Sequence, residues 1–215
     1  VNLGWKLAAV CNGWGGLGLL ASYEKERRPI AVRNTQFARS LADNIGGLKL
    51  GPELEEDSKE GQRLRKELGE KLFHHATIEF NTQGIQLGVQ YCSSPIVDMD
   101  DNKPPPDDPH TYVPTATPGC RAPHVWLDQK RSIFDEFGCE FTLLRLNRGK
   151  DAKPIINTAK SMGIPLQLLE LDNEEVRDLY SADLILIRPD HHVAWRLGGS
   201  TTDPEVLLQT ISGGR

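Results

Sequence analysis

The segment covering residues 141–171 reads FTLLRLNRGKDAKPIINTAKSMGIPLQLLEL. Its two ends, residues 141–146 and 166–171, are short apolar runs typical of buried β-strands. Between them, residues 152–162 have the pattern of a helix that stops at Gly163, a residue that commonly follows the end of a helix. The segment therefore predicts a strand, a helix and a second strand in succession.

The chain on both sides of this segment predicts further regular elements. A short strand over 124–127 and a turn of helix over 132–137 precede it. A helix over 174–180, strands over 183–188 and 193–196, and a helix over 203–212 follow it. The two strands form a hairpin across Pro189-Asp190, and Asp203 and Pro204 suit the start of the last helix. From residue 141 onward, this order predicts one mixed central sheet with helices on its faces.

The N-terminal half has helical patterns instead. Three helices are predicted there, over residues 1–11, from about 19 to 45, and over 52–72. Pro29 marks a kink or a helix start within the second, and Ser58 or Gly61 can divide the third. Residues 84–91 alternate apolar and polar side chains, which favours a strand.

A cluster of prolines and aspartates over residues 98–109 predicts an exposed loop between two parts of the chain. We place the domain boundary just after it, so that residues 1–114 form a mainly helical part and residues 115–215 an α/β domain. The predicted fold class is therefore α+β.

Composition excludes several classes of partner. The chain has 215 residues, a hydrophobic fraction of 38% and a net charge of −5. Neither half is strongly basic, which argues against a nucleic-acid partner. No apolar run reaches the roughly 20 residues that cross a bilayer, and no signal-peptide pattern opens the chain, so we predict a cytoplasmic protein without a membrane partner. Because Val1 already reads as part of a helix, we expect the chain to be a truncated piece of a longer protein.

The nucleophilic and metal-ligating side chains have no spacing typical of a site. The cysteines are too widely spaced for a metal knuckle and are expected to be free thiols: Cys11, Cys92, Cys120 and Cys139. The histidines include two adjacent pairs, whose members point to different faces of a regular element: His74, His75, His110, His124, His191 and His192. His191 and His192 are interpreted as turn residues. We therefore predict neither a metal site nor a catalytic triad in this chain.

One glycine motif resembles a nucleotide-binding loop. Gly13, Gly15 and Gly18 satisfy the pattern GxGxxG. That motif binds a dinucleotide when a strand leads into the turn and a second strand supplies an acidic partner for the ribose. Here a predicted helix precedes the glycines, so we interpret them as a loop between two helices.

A second motif resembles the start of a calcium loop, with Asp98, Asp100 and Asn102 at alternate positions. A calcium loop then needs glycine at its sixth position and glutamate at its twelfth. Lys103 and Pro109 stand there instead. This favours a solvated acidic loop.

Aromatic and charged clusters allow two interpretations each. Trp14, Trp126 and Trp195 could form a platform for a ligand, but tryptophans near strands are more typical of a core. The second helix carries a dense set of charges: Glu24, Glu26, Arg27 and Arg28. We interpret this set as a solvated helix face with pairs three and four residues apart. The alternative is that Arg27 or Arg28 anchors a neighbouring domain.

Two sets of motifs go beyond these general patterns. The first comprises NLGWKLAAV at 2–10, GW at 13–14 and LLASYEKERRP at 19–29. The second comprises LGVQYCSSP at 87–95, PGCRAPHVWL at 118–127 and RPDHHVAWR at 188–196. Together they resemble the flavin-dependent aromatic hydroxylases of the phenol hydroxylase and para-hydroxybenzoate hydroxylase type, and the resemblance covers nearly the whole chain.

The resemblance implies a parent enzyme that uses FAD and NAD(P)H to hydroxylate phenolic rings and that forms a homodimer. In this family the flavin-binding motifs and most of the substrate pocket precede the helix that matches residues 2–10. The resemblance therefore implies that the partner of this chain is a missing flavin-binding half. We assign no catalytic, cofactor-binding or metal-ligating residue to the chain, and expect it alone to bind no FAD and to be inactive. Matched residues up to 45 are expected to be scaffold, with Arg27, Arg28 and Pro29 in domain contacts.

From about Pro118 the resemblance implies a thioredoxin-like domain, which agrees with the predicted strand order. The redox CxxC would follow the strand at 141–146, where this chain has NRGKD. Residues 181–183, SAD, replace the proline that would face the disulfide. Because dithiol exchange needs a thiol pair, the resemblance implies a redox-inactive domain that serves packing and dimer contacts. The alternative to an enzyme fragment is a non-catalytic thioredoxin-fold module for self-association or partner binding.

Overall fold

The computed structural model describes residues 1–48 and 50–214. Helices α1 to α4 are Asn2–Cys11, Leu17–Gly46, Lys59–Phe80 and Gln83–Leu87, with a 3-10 helix, Pro52–Glu55, before α3. Helices α5 to α8 are Ile133–Glu136, Lys153–Met162, Glu174–Tyr180 and Pro204–Ile211. Strands β1 to β4 are Phe141–Arg145, Leu166–Glu170, Leu184–Ile187 and Val193–Arg196. None of the helices in the described residues combines the length and apolarity needed to cross a membrane.

The four strands form one sheet in the order β2-β1-β3-β4. Strand β1 pairs parallel with β2 and antiparallel with β3, and β3 pairs antiparallel with β4 across the predicted hairpin. The sheet is therefore mixed, and the predicted α+β class with a mixed central sheet is confirmed.

The core explains why the strands read as continuous apolar runs. Side chains of β1 alternate between two clusters, with Phe141 and Leu143 on one face of the sheet and Leu144 on the other. Helices α6 and α8 cover the first face together with residues of α1, and α5 and α7 cover the second. A strand that is buried on both faces needs apolar residues at successive positions rather than at every other one.

By their contacts, the residues fall into two compact units. The first unit comprises Val1–Arg28, Val89–Pro106 and the chain from Val113 onward, and contains the whole sheet. The second comprises Pro29–Gly88 and Asp107–Tyr112. Helix α1 and the first part of α2 therefore belong to the same unit as the C-terminal sheet.

The predicted strand over residues 84–91 is wrong, because residues 83–87 form helix α4. The Gln86 N–H donates to the Thr82 carbonyl at 3.0 Å, and the Gly88 N–H donates to that of Gly84 at 2.9 Å. The Ile85 N–H donates to Pro109 O at 3.1 Å. These backbone N–H groups therefore bond within the helix or to the loop at Pro109, and they do not pair with a neighbouring strand.

The predicted strand over residues 124–127 is also wrong. Only an isolated bridge between Trp126 and Ser132 is present there. The Leu127 N–H donates to Arg131 O at 2.8 Å, and the Ile133 N–H donates to Val125 O at 2.9 Å. These bonds close a tight loop on itself instead of extending the sheet.

The other helix predictions differ only in detail. Pro29 lies inside α2, which continues to Gly46. The charged region over 52–72 divides at Ser58, whose side chain accepts a hydrogen bond from the Gly61 N–H and caps α3. Helix α3 then runs on to Phe80.

Candidate functional site

Glu26 on α2 is buried, and the interpretation of its surroundings as a solvated helix face is wrong at this position. Its side chain lies on the same helical stripe as Leu19 and Ser22, both fully buried. By contrast, Glu24 and Arg28 form an exposed pair four residues apart, with 3.5 Å between Oε1 and Nη1, as that interpretation expects. The charge-rich sequence therefore contains one inward-facing carboxylate.

Four charged side chains converge at this point, and we call them the buried charge cluster: Lys6, Glu26, Arg188 and Asp190. Lys6 Nζ lies 2.6 Å from Glu26 Oε2, and Arg188 donates to both carboxylate oxygens of Glu26 at 2.7 and 3.0 Å. Two positive and two negative charges make the cluster neutral. Ser94 also donates to Glu26 Oε1 at 2.6 Å.

The hairpin between β3 and β4 positions Arg188. Its backbone N–H donates to the His192 carbonyl at 2.8 Å, and its own carbonyl accepts from the His191 N–H at 2.9 Å. Arg188 Nε and Nη2 donate to the two carboxylate oxygens of Asp190 at 2.9 and 2.7 Å. The guanidinium also lies 5.3 Å from the ring centres of Trp5 and Tyr91, within the range of cation–π attraction.

The two carboxylates of the cluster keep their charges despite burial. Burial alone would raise the pKa of Glu26, but the hydrogen bonds and charge of Arg188, with the bonds from Lys6 and Ser94, lower it to about 2. Burial acts in the same direction on the pKa of Asp190, and the charge of Arg188 lowers that pKa well below its usual range. Burial lowers the pKa of Lys6, while Glu26 opposes this effect. Pairing thus compensates for desolvation in both carboxylates.

Asn2 connects the first turn of α1 to both carboxylates. Its Nδ2 donates to Glu26 Oε2 at 2.7 Å and to Asp190 Oδ2 at 2.9 Å. The cluster and Asn2 therefore join α1, α2 and the β3–β4 hairpin through charge-assisted hydrogen bonds.

A cavity of about 380 Å³ lies beside the cluster, lined in part by Asn2, Tyr23, Arg27, Tyr91 and His192. Arg27 donates to the Tyr91 hydroxyl at 2.8 Å, and the His192 ring stacks on Tyr91 with 4.3 Å between ring centres. Burial lowers the pKa of His192 to about 4, so this ring is neutral at pH 7. Because a carbonyl oxygen can only accept, the proton lies on Nδ1, which donates to the Asp190 carbonyl at 3.1 Å.

The glycine-rich loop between α1 and α2 does not fit a dinucleotide. The Gly16 N–H donates to Ser212 O at 2.8 Å, and the Gly18 N–H donates to Gly213 O at 3.0 Å. A Cβ added to Gly16 would lie 1.8 Å from the Gly214 carbonyl oxygen. The space above these amides is therefore filled by the chain's own backbone, and close packing accounts for the glycines.

The residues that resemble a calcium loop are used in contacts within the chain. Asp98 accepts hydrogen bonds from the Ser200 hydroxyl and the Thr201 N–H. Asp100 pairs with Arg196 and accepts from the Asn102 N–H. Both carboxylates, Asp98 and Asp100, are therefore bound by polar partners, so the interpretation as a solvated acidic loop is wrong for these two residues.

The remaining candidates stay separate. Over residues 1–48 and 50–214, no group of three or more His, Cys, Asp or Glu side chains is arranged to hold a metal ion. Trp14 and Trp195 are buried in the core, whereas Trp126 is 61% exposed. The three tryptophans do not share one surface. Sequence reasoning missed the buried charge cluster, although Lys6, Glu26, Arg188 and Asp190 all lie within the quoted motifs.

Comparison with known proteins identifies the class to which this fold belongs. Residues 115–213 match the family described as aromatic-ring hydroxylase, C-terminal, and residues 1–38 match the FAD binding domain family. The solved structure of RebC with bound 7-carboxy-K252c superposes with a TM-score of 0.90 at 35% identity, covering 100% of this chain and 41% of that one. These matches place the chain among the aromatic-ring hydroxylases, with its first residues matching an FAD binding domain.

Individual relatives agree with that class. The FAD-dependent monooxygenase opdD of Penicillium oxalicum is 35% identical over 97% of this chain and 42% of its own length. Phenol 2-monooxygenase of a Pseudomonas species is 31% identical over 99% of this chain and 40% of its own length. The chain belongs to the FAD-dependent aromatic hydroxylases and corresponds to the C-terminal part of such an enzyme. It spans about 40% of the length of the relatives it matches.

Proposed function

We propose that this chain is the C-terminal portion of a monooxygenase that uses FAD and NAD(P)H to hydroxylate phenolic or related aromatic rings. The support comes from relatives whose names state FAD dependence or a phenol substrate. In such an enzyme FAD supplies the redox chemistry, and the protein supplies binding and orientation. The glycine-rich loop of this chain does not fit a dinucleotide, so we propose no catalytic step for the residues of that loop.

The observation that carries the proposal is the position of the buried charge cluster. Lys6 and Glu26 lie within residues 1–38, which match the FAD binding domain family. Arg188 and Asp190 lie within residues 115–213, which match the C-terminal family. The ion pairs between these residues fix the C-terminal sheet to the two helices α1 and α2. We therefore propose that the chain is a scaffold that holds the flavin-binding half against the C-terminal domain.

Several narrower statements belong to the same proposal. We propose that residues 115–215 form a thioredoxin-like domain without CxxC, supported by the sheet order β2-β1-β3-β4 with β3 antiparallel to both neighbours. The parent enzyme is proposed to be cytoplasmic and homodimeric, with a missing flavin-binding half as the partner of this chain. The boundary at residue 114 remains a prediction.

The visible absorption spectrum of the purified chain, with its mass confirmed, tests the assignment of the flavin site. The expected spectrum has no flavin band, even after incubation with FAD and gel filtration. A stoichiometric band would contradict the expectation that this chain alone binds no FAD. A chain extended to the length of the relatives should bind FAD and oxidise NAD(P)H faster in the presence of a phenol.

A second candidate function is self-association through the C-terminal domain. The observation in its favour is the exposed indole of Trp126 beside His124, with 4.9 Å between ring centres. Sedimentation equilibrium of the chain and of its Trp126→Ser variant distinguishes the two outcomes. A dimer that the substitution weakens supports self-association, and a monomer at all concentrations contradicts it.

A further inference from the structure

Cys92 and Cys120 lie in two segments that pair through their backbones. The Tyr91 N–H donates to the Gly119 carbonyl at 2.8 Å, and Gln90 forms an antiparallel bridge with Cys120. A Cβ on Gly119 would lie 2.8 Å from the Cys92 backbone nitrogen. The lack of a side chain at Gly119, together with its positive φ of 87°, lets the two backbones approach this closely.

The two thiols interact with each other. The Cys92 thiol donates a hydrogen bond to the Pro118 carbonyl at 3.8 Å, and the Cys120 thiol lies close enough to Cys92 for each to change the pKa of the other. Cys120 is buried and Cys92 is only half-buried. A small reagent in solution therefore reaches Cys92 first.

The surroundings of the two thiols make Cys92 the thiol that reacts first and Cys120 the thiol that reacts with it afterwards. Interaction with the Cys120 thiol lowers the pKa of Cys92, against the effect of burial. Interaction with Cys92, together with burial, raises the pKa of Cys120. Because the thiolate is the nucleophile, Cys92 is the more reactive sulfur.

We propose that Cys92 and Cys120 form a thiol-oxidation site at which hydrogen peroxide produces an intramolecular disulfide. The Cys92 thiolate attacks one peroxide oxygen, the O–O bond breaks, and a sulfenic acid and hydroxide form. The Cys120 sulfur then attacks the Cys92 sulfur, the S–S bond forms, and the hydroxyl leaves with the Cys120 proton as water. Two thiols are oxidised, and one peroxide is reduced to two molecules of water once the hydroxide is protonated.

The disulfide would close the loop of residues 93–119, which includes the proline- and aspartate-rich segment. Cross-linking a loop of this length reduces the entropy of the unfolded chain. We expect the oxidised chain to melt at a temperature roughly 5–10 °C higher than the reduced chain.

The test uses the variant C11S/C139S, which removes the two exposed thiols and keeps the pair. The folded variant is treated with one equivalent of hydrogen peroxide, and the remaining thiols are blocked with N-ethylmaleimide. Trypsin leaves both cysteines in residues 72–121 because Lys103 precedes Pro104, so an aspartate-directed protease is added. The expected product is a pair of peptides linked through Cys92 and Cys120, lighter by two hydrogens and separated by a reductant.

Matched variants assign the order of events. With Cys120→Ser, Cys92 should stop at a sulfenic acid that dimedone traps. With Cys92→Ser, Cys120 should not react at the same peroxide concentration. The proposal is overturned if both cysteines are recovered as separate blocked thiols, if only links between chains form, or if Cys92 is oxidised further without a cross-link. It is also overturned if the chain unfolded in urea forms the same link as fast as the folded chain.

Discussion

Arg188 and Glu26 are 162 residues apart in the chain and meet as a two-pronged ion pair, with nitrogen–oxygen distances of 2.7 and 3.0 Å. Neither side chain is accessible to solvent. Without Arg188, Glu26 would keep only Lys6 as a buried counter-charge, and without Glu26, Arg188 would keep only Asp190. The pair therefore makes the packing of α2 against the β3–β4 hairpin depend on both residues.

Arg188→Met is expected to destabilise the chain by about 3–5 kcal/mol, because it leaves Glu26 and Asp190 buried without their main counter-charge. Chemical denaturation measures the loss. Arg28→Met is the matched control: its partner is Glu24, both side chains are about three-quarters exposed, and the expected change is within about 0.5 kcal/mol. Equal effects of the two substitutions would contradict the role of the buried pair.

The double variant Glu26→Gln/Arg188→Met is expected to lose less free energy of unfolding than the sum of the two single variants. Neutralising both partners removes the penalty of the charge that each single variant leaves behind. The same denaturation experiment gives the coupling energy. Simple additivity would show that the two side chains do not interact.

The stability conferred by Glu26 is expected to decrease as the pH is lowered. Its folded pKa of about 2 lies below the value of roughly 4.3 for an unfolded glutamate, so the contribution is complete above the unfolded pKa and is lost as pH falls towards the folded one. Denaturation midpoints of the wild type and Glu26→Gln should therefore converge between about pH 4.3 and pH 2. A constant difference over this range would contradict the lowered pKa.

His192 is expected to stay neutral well below the usual pKa of a histidine. Because burial lowers its pKa to about 4, it remains unprotonated at a pH where the unfolded residue, with a pKa of roughly 6.5, is charged. Proton NMR titration of the six imidazoles should show one with a midpoint near 4, and that signal should be absent from His192→Asn. A midpoint for His192 near 6.5 would show that its ring is hydrated.

Gly16→Ala is expected to destabilise the chain by about 1–3 kcal/mol, because the new Cβ would overlap the backbone of Gly214. Gly4→Ala in α1 is the control, since nothing lies within 4 Å of a Cβ at that position. That change should stabilise the helix by about 0.5–1 kcal/mol. Thermal denaturation of both variants measures opposite shifts, and stabilisation by Gly16→Ala would contradict the close packing of this loop.

Local sequence patterns predicted the C-terminal sheet because each strand there has an apolar run bounded by strong signals. Gly163 caps α6 with a φ of 67°, and Asp203 caps α8 through its side chain, both at the predicted positions. The alternation over residues 84–91 resembled a strand because a short helix also places some of its side chains against neighbours. Local pattern alone does not distinguish the two when no partner strand is identified.

The buried charge cluster could not be predicted in the same way. Glu26 stands among Glu24, Lys25, Arg27 and Arg28, and five consecutive charged residues normally indicate a solvated face. Its partner Arg188 belongs to a hairpin that lies far along the chain. The helical spacing of Glu26 from the buried Leu19 and Ser22 was the one indication that its side chain points inward. That indication is sufficient only when a buried partner such as Arg188 is known.

The separation of Glu26 and Arg188 along the chain also bears on the order of folding. A contact between residues 162 positions apart requires a long loop to close, and its entropic cost is met only when many other contacts form. Until then, water hydrates both charges, so their pairing should come after the rate-limiting step. Glu26→Gln is therefore expected to speed unfolding several-fold and to leave the refolding rate nearly unchanged in stopped-flow kinetics. An ion pair of this kind slows the unfolding of the folded chain but does not accelerate its folding.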